Sequence, residues 1–249
     1  MRVLVIPDTQ VSPGVPTDHL TDIGRAICEY QPDYVVHLGD HWDMKSLNRW
    51  VPRGGLEIEG TRILKDLEAG NTALRKITNP IHAFNKRRKK KYKPKLHFIM
   101  GNHEERLLRY VRENSCLEGV FGPHSFDLEG WTVHPFLHLF NIQEVYFTHY
   151  FANPNSGRPY AGTAHSKLRN VGLSMVMGHQ QGLDLAIRML PNGQQQRCIV
   201  AGSCYAHREI YRGPQGHENF QGVLILNDLK GSSYDLMELS LRYLKKKFR

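Results

Sequence analysis

The feature that most constrains this 249-residue chain is a set of short apolar runs, each of which stops at a polar cluster. Short apolar runs that are bounded by turn-forming residues indicate buried strands. The later polar clusters begin at glycine or at a lone histidine, which suits a chain that leaves a strand through a sharp turn. The five runs cover residues 2–7, 33–38, 95–100, 144–148 and 173–177.

A helix is predicted between the first two strands. Residues 18–30 carry Leu20, Ile23 and Ile27 three or four positions apart, and Pro32 follows as a stop signal. A strand, a helix and a second strand in fewer than forty residues form a βαβ unit, in which the two strands are parallel. The same spacing predicts helices over 56–78 and 104–112.

The pattern changes after Gly182, where strands separated by turns indicate an antiparallel β finish. The chain is long enough to bury one large core, and no clean linker divides it. We therefore predict an α/β protein with a single domain over 1–249 and a basic helical and loop insertion at about 56–95. The later strands are predicted over 183–189, 197–201, 222–227 and 234–241.

Composition excludes several classes of protein. No apolar run approaches the ~18 residues that a membrane-spanning helix needs, and the N-terminal run is too short for the core of a signal peptide. The cysteines form no C-x-x-C pair, which argues against a disulfide scaffold and a zinc ribbon. We expect a cytoplasmic protein without a membrane partner; its cysteines are Cys28, Cys116, Cys198 and Cys204.

Basic residues are concentrated in two segments of a chain whose formal charge is +9. Residues 86–95 hold eight basic residues in ten, and residues 244–249 add four more. Such clusters favour a polyanionic partner, here nucleic acid or a nucleotide substrate, and the alternative is a solvated loop with a frayed tail. In the first interpretation Lys89, Lys90 and Lys91 contact the substrate.

The polar clusters carry residues that bind metals. Because the carboxyl ends of strands in an open α/β sheet share one crevice, the clusters are expected to converge although they span 171 positions. A lone aspartate after a strand is usually a helix cap, and a lone histidine is usually a core residue, but five strand ends of this kind favour a metal site. The clusters contain Asp8 and Gln10; Asp40, His41 and Asp43; Asn102, His103 and Glu104; His149; and His179 and Gln181.

The chemistry of this set suits divalent first-row metals. Carboxylates, amide oxygens and imidazoles form a mixed oxygen and nitrogen donor set, which fits Mn, Fe or Zn better than a soft thiolate site does. One carboxylate can bridge two cations, and a pair ~3.5–4 Å apart clamps an in-line displacement at phosphorus.

The motifs D-x-[H/Q], G-D-x-x-D, G-N-H-E, a strand-end His and G-H-x-[H/Q], in this order, resemble those of the calcineurin-like metallophosphoesterases. The resemblance covers residues 1–182 by motif. It implies a four-layer α/β/β/α sandwich with mixed sheets and a two-metal centre between loops at the sheet edges.

The resemblance also implies a role for each matching residue. His103 would face the phosphate and stabilise or protonate the leaving oxygen, and a hydroxide held by the metals would be the nucleophile. Catalysis would rest on His103 and Asp40. Apart from the resemblance, Asp43 is predicted to orient the turn or a ligand. Asp40 would bridge the metals, Asn102, His149 and His179 would complete one shell, and Asp8, Gln10 and Gln181 would form the other.

Two departures from the family pattern fall on the same metal. The family usually has His at the positions of Gln10 and Gln181, and an amide oxygen is a harder and weaker donor than an imidazole nitrogen. We therefore expect two divalent ions. The change of donor favours Mn, with Mg, Fe or Zn as alternatives. Two hypotheses follow: the Asp8 position fills weakly with Mn, or it stays empty and one metal suffices.

Further candidates for substrate contact lie beside the motifs. His41 follows Asp40, Arg158 lies in a Pro/Gly-rich loop after His149, and His207 lies in the strand-rich remainder. Each has a structural alternative as a packing residue.

A phosphodiesterase or nuclease that acts on DNA or RNA is the favoured function, because the basic run falls between the second and third motifs and is expected beside the cleft. The alternatives are a phosphodiesterase of small or cyclic nucleotides, a phosphomonoesterase of proteins or small molecules, and a metal-binding adaptor with a degenerate site. Retained His103, which metal binding does not need, argues against the adaptor. The G-D-x-V-D-R-G stretch of protein phosphatases is replaced by G-D-H-W-D-M-K.

Overall fold

Two mixed β-sheets form the centre of the molecule in a computed structural model that describes residues 1–52, 54–86, 88–209, 212–216 and 218–249. The strands are β1 (Val3–Ile6), β2 (Tyr34–His37), β3 (Lys95–Ile99), β4 (Thr132–His134), β5 (Phe140–Ile142), β6 (Val145–Thr148), β7 (Ser174–Met177), β8 (Leu183–Met189), β9 (Gln195–Ala201), β10 (Gly222–Lys230) and β11 (Ser233–Ser240). The helices are α1 (His19–Tyr30), α2 (Ile63–Lys86), α3 (Glu104–Glu113), α4 (Ala164–Val171), α5 (Gly213–Gly216) and α6 (Leu241–Phe248).

The first sheet has the order β11-β10-β1-β2-β3-β4. Strands β1 to β4 run parallel, as the βαβ pattern predicts, and β10 joins β1 in the antiparallel direction. The second sheet has the order β5-β6-β7-β9-β8, with β6, β7 and β9 parallel. The prediction of antiparallel strands after Gly182 is therefore only partly right. Strands β8 and β9 form one hairpin and β10 and β11 form another, but the two hairpins belong to different sheets.

The core explains why the two sheets stack. One apolar cluster joins their inner faces and contains Val5, Val36 and Ile99 from the first sheet and Phe147 and Val176 from the second. A second cluster packs α1 and α2 on the outer face of the first sheet, and a third packs α4 on the second sheet. Burial of apolar area on both faces of each sheet is the main stabilising contribution. The four-layer α/β/β/α arrangement is thus confirmed.

Helix α2 differs from its prediction at both ends. Residues 56–58 form a short 3-10 turn instead of the first helical turn, and the helix continues through Pro80 to Lys86. A proline inside a helix removes one backbone donor, but this ring packs where α2 crosses α1 at Gly24. A Cβ at Gly24 would lie 2.4 Å from the Ile77 carbonyl oxygen, so the close crossing requires glycine.

The C-terminal segment is helical, so the interpretation as a frayed tail is wrong. The predicted last strand ends at Ser240, whose hydroxyl oxygen accepts a hydrogen bond from the Tyr243 N–H at 3.2 Å and begins α6. Leu244 is fully buried in the cluster that contains α1. Among the described residues, no helix is both long and apolar enough to cross a membrane.

Candidate metal centre

The candidate ligands meet where the two sheets face each other. Asp8, Asp40 and Asn102 follow the carboxyl ends of β1, β2 and β3 in the first sheet, and His149 and His179 follow β6 and β7 in the second. Because β1, β2 and β3 run parallel to one another, as do β6 and β7, the exits lie at one edge of each sheet. The contacts of Asn102 with His149 and His179 show that the two edges meet. The predicted convergence is therefore present.

One group of donors is tightly clustered. A carboxylate oxygen of Asp40 and ring nitrogens of His149 and His179 all lie within 4.8 Å of one another. Asn102 Oδ1 lies 2.8 Å from His149 Nε2 and 2.8 Å from His179 Nδ1. This is the composition that the resemblance gives to one metal shell.

The tautomer of His149 supports a cation at this position. Its Nδ1 donates to the Leu38 carbonyl oxygen at 2.8 Å, so in the neutral ring Nε2 is an acceptor. Nε2 then faces Asn102 Oδ1, which is also an acceptor. Two acceptors at hydrogen-bond distance repel unless a proton or a cation lies between them, so the donor set fits a divalent metal.

The second group contains oxygens without hydrogen-bond donors. Asp8 and Gln10 are fully buried, and Asp8 Oδ2 and Gln10 Oε1 have no partner within the described part of the chain. The other oxygen of Asp8 accepts the His179 N–H at 3.0 Å. Because a buried polar atom without a partner is costly, these two oxygens fit the place of a second cation.

Gln181 is placed differently from Gln10. Its Oε1 accepts the Tyr205 hydroxyl at 2.8 Å, and its main-chain oxygen accepts an Arg212 N–H at 2.9 Å. Tyr205 lies 24 positions further along the chain, and no local pattern identified it. Since the amide oxygen keeps a second lone pair, ligation by Gln181 stays a prediction.

Backbone strain is concentrated at the candidate ligands. Gln10, Asp40, His179 and Gln181 have φ of 45°, 50°, 66° and 58°, in the left-handed region that is unfavourable for residues other than glycine. Such residues persist only where the surrounding structure holds them, and they occur preferentially at functional sites. The strain is a second indication, independent of the donor atoms, that this edge is a functional site.

Electrostatics at this edge are dominated by two buried carboxylates. Burial raises the pKa of Asp8 to about 7, and the negative charge of Asp40 contributes to the rise. Burial also opposes ionisation of Asp40, but the His103 and His149 rings hold its pKa below the ordinary value. The pKa of His149 rises to about 9 because Asp40 outweighs the opposite effect of burial. Two buried carboxylates this close together favour a cation at this edge, and a divalent ion would supply that charge.

Glu104 holds the turn that carries Asp40. Its carboxylate accepts four backbone N–H groups, from Asp40 at 3.0 Å, His41 at 2.6 Å, Trp42 at 3.0 Å and Gly101 at 2.7 Å. A Cβ at Gly101 would lie 2.2 Å from Asp40 Oδ1, so glycine is needed there. Glu104 is therefore a clamp between two strand exits.

His103 faces the cleft and is oriented by Asp43. Its Nδ1 donates to Asp43 Oδ1 at 2.9 Å, and its Nε2 lies 3.6 Å from Asp40 Oδ2. Burial lowers its pKa, but Asp40 and Asp43 outweigh that effect and the net shift is upward. The orienting role predicted for Asp43 agrees with this geometry.

A cleft of ≈ 560 Å³ is lined by four of the candidate ligands, Asp40, Asn102, His179 and Gln181. His103 also lines it, together with Lys45, Trp50 and Arg106, which the sequence did not identify, and Arg208, which follows the predicted contact His207. The Trp50 side chain is 92% exposed. Arg106 lies three positions after His103, at the start of α3. Because this spacing places two side chains on one helix face, the sequence could have identified Arg106 as a neighbour of His103.

Three predicted substrate contacts lie elsewhere. His41 is fully buried, with its Nε2 donating to the Gly70 carbonyl oxygen at 3.0 Å and its Nδ1 2.7 Å from Thr9 Oγ1. His207 pairs with Glu209, and it is the neighbouring Arg208 that lines the cleft. Arg158 is exposed on its loop, away from the cleft lining. His41 is a packing residue, and a substrate contact is not supported for the other two.

The basic run lies at the opposite end of the first sheet. Lys95 begins β3, whereas Asn102 follows its end; the seven residue-to-residue steps that separate them span ~23 Å in extended conformation. Tyr92 also donates to the Pro32 carbonyl oxygen, which precedes β2. The expected position of Lys89, Lys90 and Lys91 beside the cleft is therefore wrong. Arg87, within this run, lies outside the described residues.

Metal titration tests the two shells. We expect the purified protein to bind two Mn²⁺ per chain by calorimetry, with weaker binding in the second step. Asp8→Asn should abolish the weak step and keep the tight one, because Asp8 belongs to one shell alone. Asp22→Asn, a change at a buried aspartate on α1, is the control. Saturation of the unmodified chain at one Mn²⁺, with a phosphate analogue present, would contradict the second site.

Comparisons with known proteins agree with this geometry. A sequence model of calcineurin-like phosphoesterases matches residues 1–220. The chain is similar to the Gene 54 protein of Mycobacterium phage D29, with 27% identity over 191 residues that cover 73% of this chain and 70% of that protein. It is 26% identical to the Gene 54 protein of Mycobacterium phage L5 over 205 residues, 80% of this chain and 76% of that one.

A solved structure with a related description is Yfce, a phosphoesterase from E. coli. Its TM-score against this chain is 0.40, with 11% sequence identity over 97% of this chain and 100% of that chain.

Proposed function

This chain belongs to the calcineurin-like phosphoesterase family, and we propose that it is a phosphodiesterase of nucleotide-containing substrates, with DNA or RNA as the favoured class. As a member of that family it is a metal-dependent phosphoesterase. The observation that carries the finer proposal is the cleft lining, which combines the donor cluster and His103 with an exposed indole and three cations. The metal-binding side chains would hold ions against the scissile phosphate, and the cations would pair with further phosphates. The indole would stack on a base.

The chain's own residues perform the positioning and the proton transfer. Asp40, Asn102, His149 and His179 would hold one divalent ion, and Asp8 and Gln10, with Gln181, the other. Bound divalent ions supply a nucleophilic water at neutral pH and offset the charge that develops on phosphate oxygens. Manganese is favoured because the second group is rich in oxygen donors.

His103 is placed to act on the leaving oxygen. With Nδ1 held by Asp43, Nε2 is the atom that faces the cleft: in the neutral ring it is an acceptor, and in the protonated ring it would deliver a proton to the leaving oxygen. Arg106 Nη2 donates to this Nε2 at 3.0 Å, so a guanidinium lies beside the position that the ester oxygen would take. On substrate binding the same N–H group can turn to a phosphate oxygen and stabilise its charge.

Small esters test the proposed reaction. We expect Mn²⁺-dependent turnover of bis-p-nitrophenyl phosphate that exceeds turnover of p-nitrophenyl phosphate by about tenfold or more, a difference of only ~1.4 kcal/mol in the barrier. EDTA should abolish both. Preference for the monoester would contradict a phosphodiesterase, and no turnover with Mn²⁺, Mg²⁺, Zn²⁺ or Fe²⁺ would favour the adaptor.

A phosphodiesterase of small or cyclic nucleotides is the second candidate. The position of the basic run favours it: because the run lies at the other end of the sheet, it does not contribute to binding a polymer in the cleft. Turnover of 2′,3′-cyclic nucleotides without turnover of single- or double-stranded DNA and RNA would select this candidate.

Trp50 tests the base-binding part of the proposal. We expect Trp50→Ala to raise KM for thymidine 5′-p-nitrophenyl phosphate about tenfold, since stacking of one base contributes ~1–3 kcal/mol. Methyl p-nitrophenyl phosphate, which lacks the nucleoside, should be unaffected. Leu56→Ala changes an exposed apolar residue outside the cleft lining and is the matched control. Equal changes in KM for both substrates would count against stacking.

A further inference from the structure

The two basic segments, separated in sequence, border one turn of the fold. Tyr92 of the basic run donates to the Pro32 carbonyl oxygen at 2.7 Å. Lys247 of α6 lies 4.8 Å from the centre of the Tyr30 ring and 3.1 Å from a Glu29 oxygen. Since Tyr30 and Pro32 are two positions apart, the segments lie on either side of the same turn. We call residues 88–95 together with α6 the distal basic surface.

Both segments are anchored through residues other than their exposed lysines. In the basic run, Asn85 exchanges two hydrogen bonds with the main chain of Tyr92, at 2.7 and 2.8 Å, and in α6 the fully buried Leu244 packs in the core cluster. The backbone of each segment is thereby fixed. The exposed lysines of this surface without an ion-pair partner among the described residues are Lys89, Lys90, Lys91, Lys93, Lys95, Lys245 and Lys246.

Most charges of the two basic segments form no ion pair among the described residues; Lys247 with Glu29 and Arg249 with Asp22 are the exceptions. The two basic segments hold twelve of the 33 Lys and Arg residues, more than the whole net charge of +9, so the rest of the chain is net acidic. Like charges held close together repel, which destabilises the folded state. A fixed concentration of cations is therefore suited to a polyanionic partner.

The chemistry of the surface favours the phosphate backbone over bases. Two neighbouring rings are already covered: Arg88 lies 4.5 Å from the centre of the Phe84 ring, and Lys247 covers Tyr30. Tyr243 of α6 is 44% exposed. Tyr92 is half-buried and its hydroxyl is bonded. Because exposed cations greatly outnumber open rings here, binding rests mainly on Lys and Arg contacts to phosphates, which are sequence-independent and available along a duplex.

We propose that the distal basic surface docks double-stranded nucleic acid through its phosphates, at the end of the first sheet opposite the metal centre. This binding goes beyond the proposed hydrolytic function and does not depend on metal or on the cleft. It provides a second nucleic-acid contact that would hold the protein on a duplex.

Binding to a fluorescent 30-bp duplex, measured by anisotropy in EDTA over a range of salt concentrations, tests the proposal. The variants are Lys89→Gln/Lys90→Gln, Lys245→Gln/Lys246→Gln and the combination of all four. Arg169→Gln/Arg188→Gln removes two exposed charges on α4 and β8 and is the control for net charge. Each removed phosphate contact is expected to lower the slope of log K against log salt by about 0.9. Each double variant should lose roughly tenfold in affinity at low salt.

The outcomes separate docking from hydrolysis. The proposal expects loss in both double variants, a larger loss in the fourfold variant, near-normal binding by the control, and unchanged turnover of bis-p-nitrophenyl phosphate. It is overturned if the unmodified chain does not bind the duplex, if the fourfold variant binds normally, or if the control loses as much. Binding to phosphatidylserine vesicles without duplex binding would also overturn it. Because the assay contains no metal, an inactive enzyme leaves its result intact.

Discussion

Replacing Asp40 by Asn is expected to lower kcat for bis-p-nitrophenyl phosphate by about 10³-fold or more, because Asp40 is the one carboxylate placed to serve both groups of donors. Its Oδ2 lies 3.4 Å from His149 Nε2 and 3.5 Å from Gln10 Nε2, so it connects the two groups directly. A loss of this size corresponds to ~4 kcal/mol of transition-state stabilisation, within what divalent ions supply at a phosphate.

A metal-dependent thermal shift makes the Asp40 prediction independent of turnover. Binding of Mn²⁺ to the folded state should raise the Tm of the unmodified chain, and Asp40→Asn should remove most of that rise. Folding should survive, since the Asn oxygen still accepts the His103 N–H that Asp40 Oδ1 accepts at 3.0 Å. Asp22→Asn should keep both activity and the Tm rise. Retained turnover in Asp40→Asn would overturn its assignment to the metal centre.

The convergence of the ligands was predictable from the sequence because it follows from chain direction alone. Parallel strands present their carboxyl ends at one edge, so a residue that follows β1 and one that follows β3 must lie near each other. Family motifs then added the second sheet, through His149 and His179. What the sequence could not provide was the contact between Gln181 and Tyr205, since neither periodicity nor spacing links residues across a strand and a loop.

Chain direction also explains why the basic run does not lie beside the cleft. The run precedes β3 and the G-N-H-E motif follows it, so the two necessarily lie at opposite ends of one strand. Sequence position between two motifs does not imply a position beside the site, because a strand separates its two ends by its full length. Proximity in sequence was also misleading for His41. It follows Asp40 directly, but its side chain points away from the cleft, toward the Gly70 carbonyl oxygen.

The boundaries of α2 and the C-terminal helix depended on tertiary contacts. Pro80 predicts an end to a helix, yet the close approach to Gly24 keeps the helix intact. Residues 241–249 are strongly basic, which suggests a solvated tail, and the burial of Leu244 decides for a helix. Both depend on a neighbouring element, α1, that propensity alone does not take into account.

The second large effect is expected on stability. Replacing Glu104 by Ala should lower the free energy of unfolding by about 4 kcal/mol, because four buried backbone N–H groups lose one shared acceptor and each unsatisfied donor costs ~1–3 kcal/mol before relaxation. For a chain of this size the corresponding fall in Tm is about 8–16 °C. Glu104→Gln keeps an acceptor oxygen but places an NH₂ group against N–H donors, so we expect about half of that loss.

Glu105, the next residue, is the matched control for the Glu104 clamp. It is partly exposed and pairs with Arg112 at the surface, where such a bond contributes ~1 kcal/mol or less, so Glu105→Ala should shift Tm only slightly. The clamp also fixes the strained backbone of Asp40, whose φ of 50° needs support from its surroundings. Glu104→Gln should therefore weaken Mn²⁺ binding even where the protein stays folded. Equal Tm values for Glu104→Ala and Glu105→Ala would show that the four hydrogen bonds do not hold the turn.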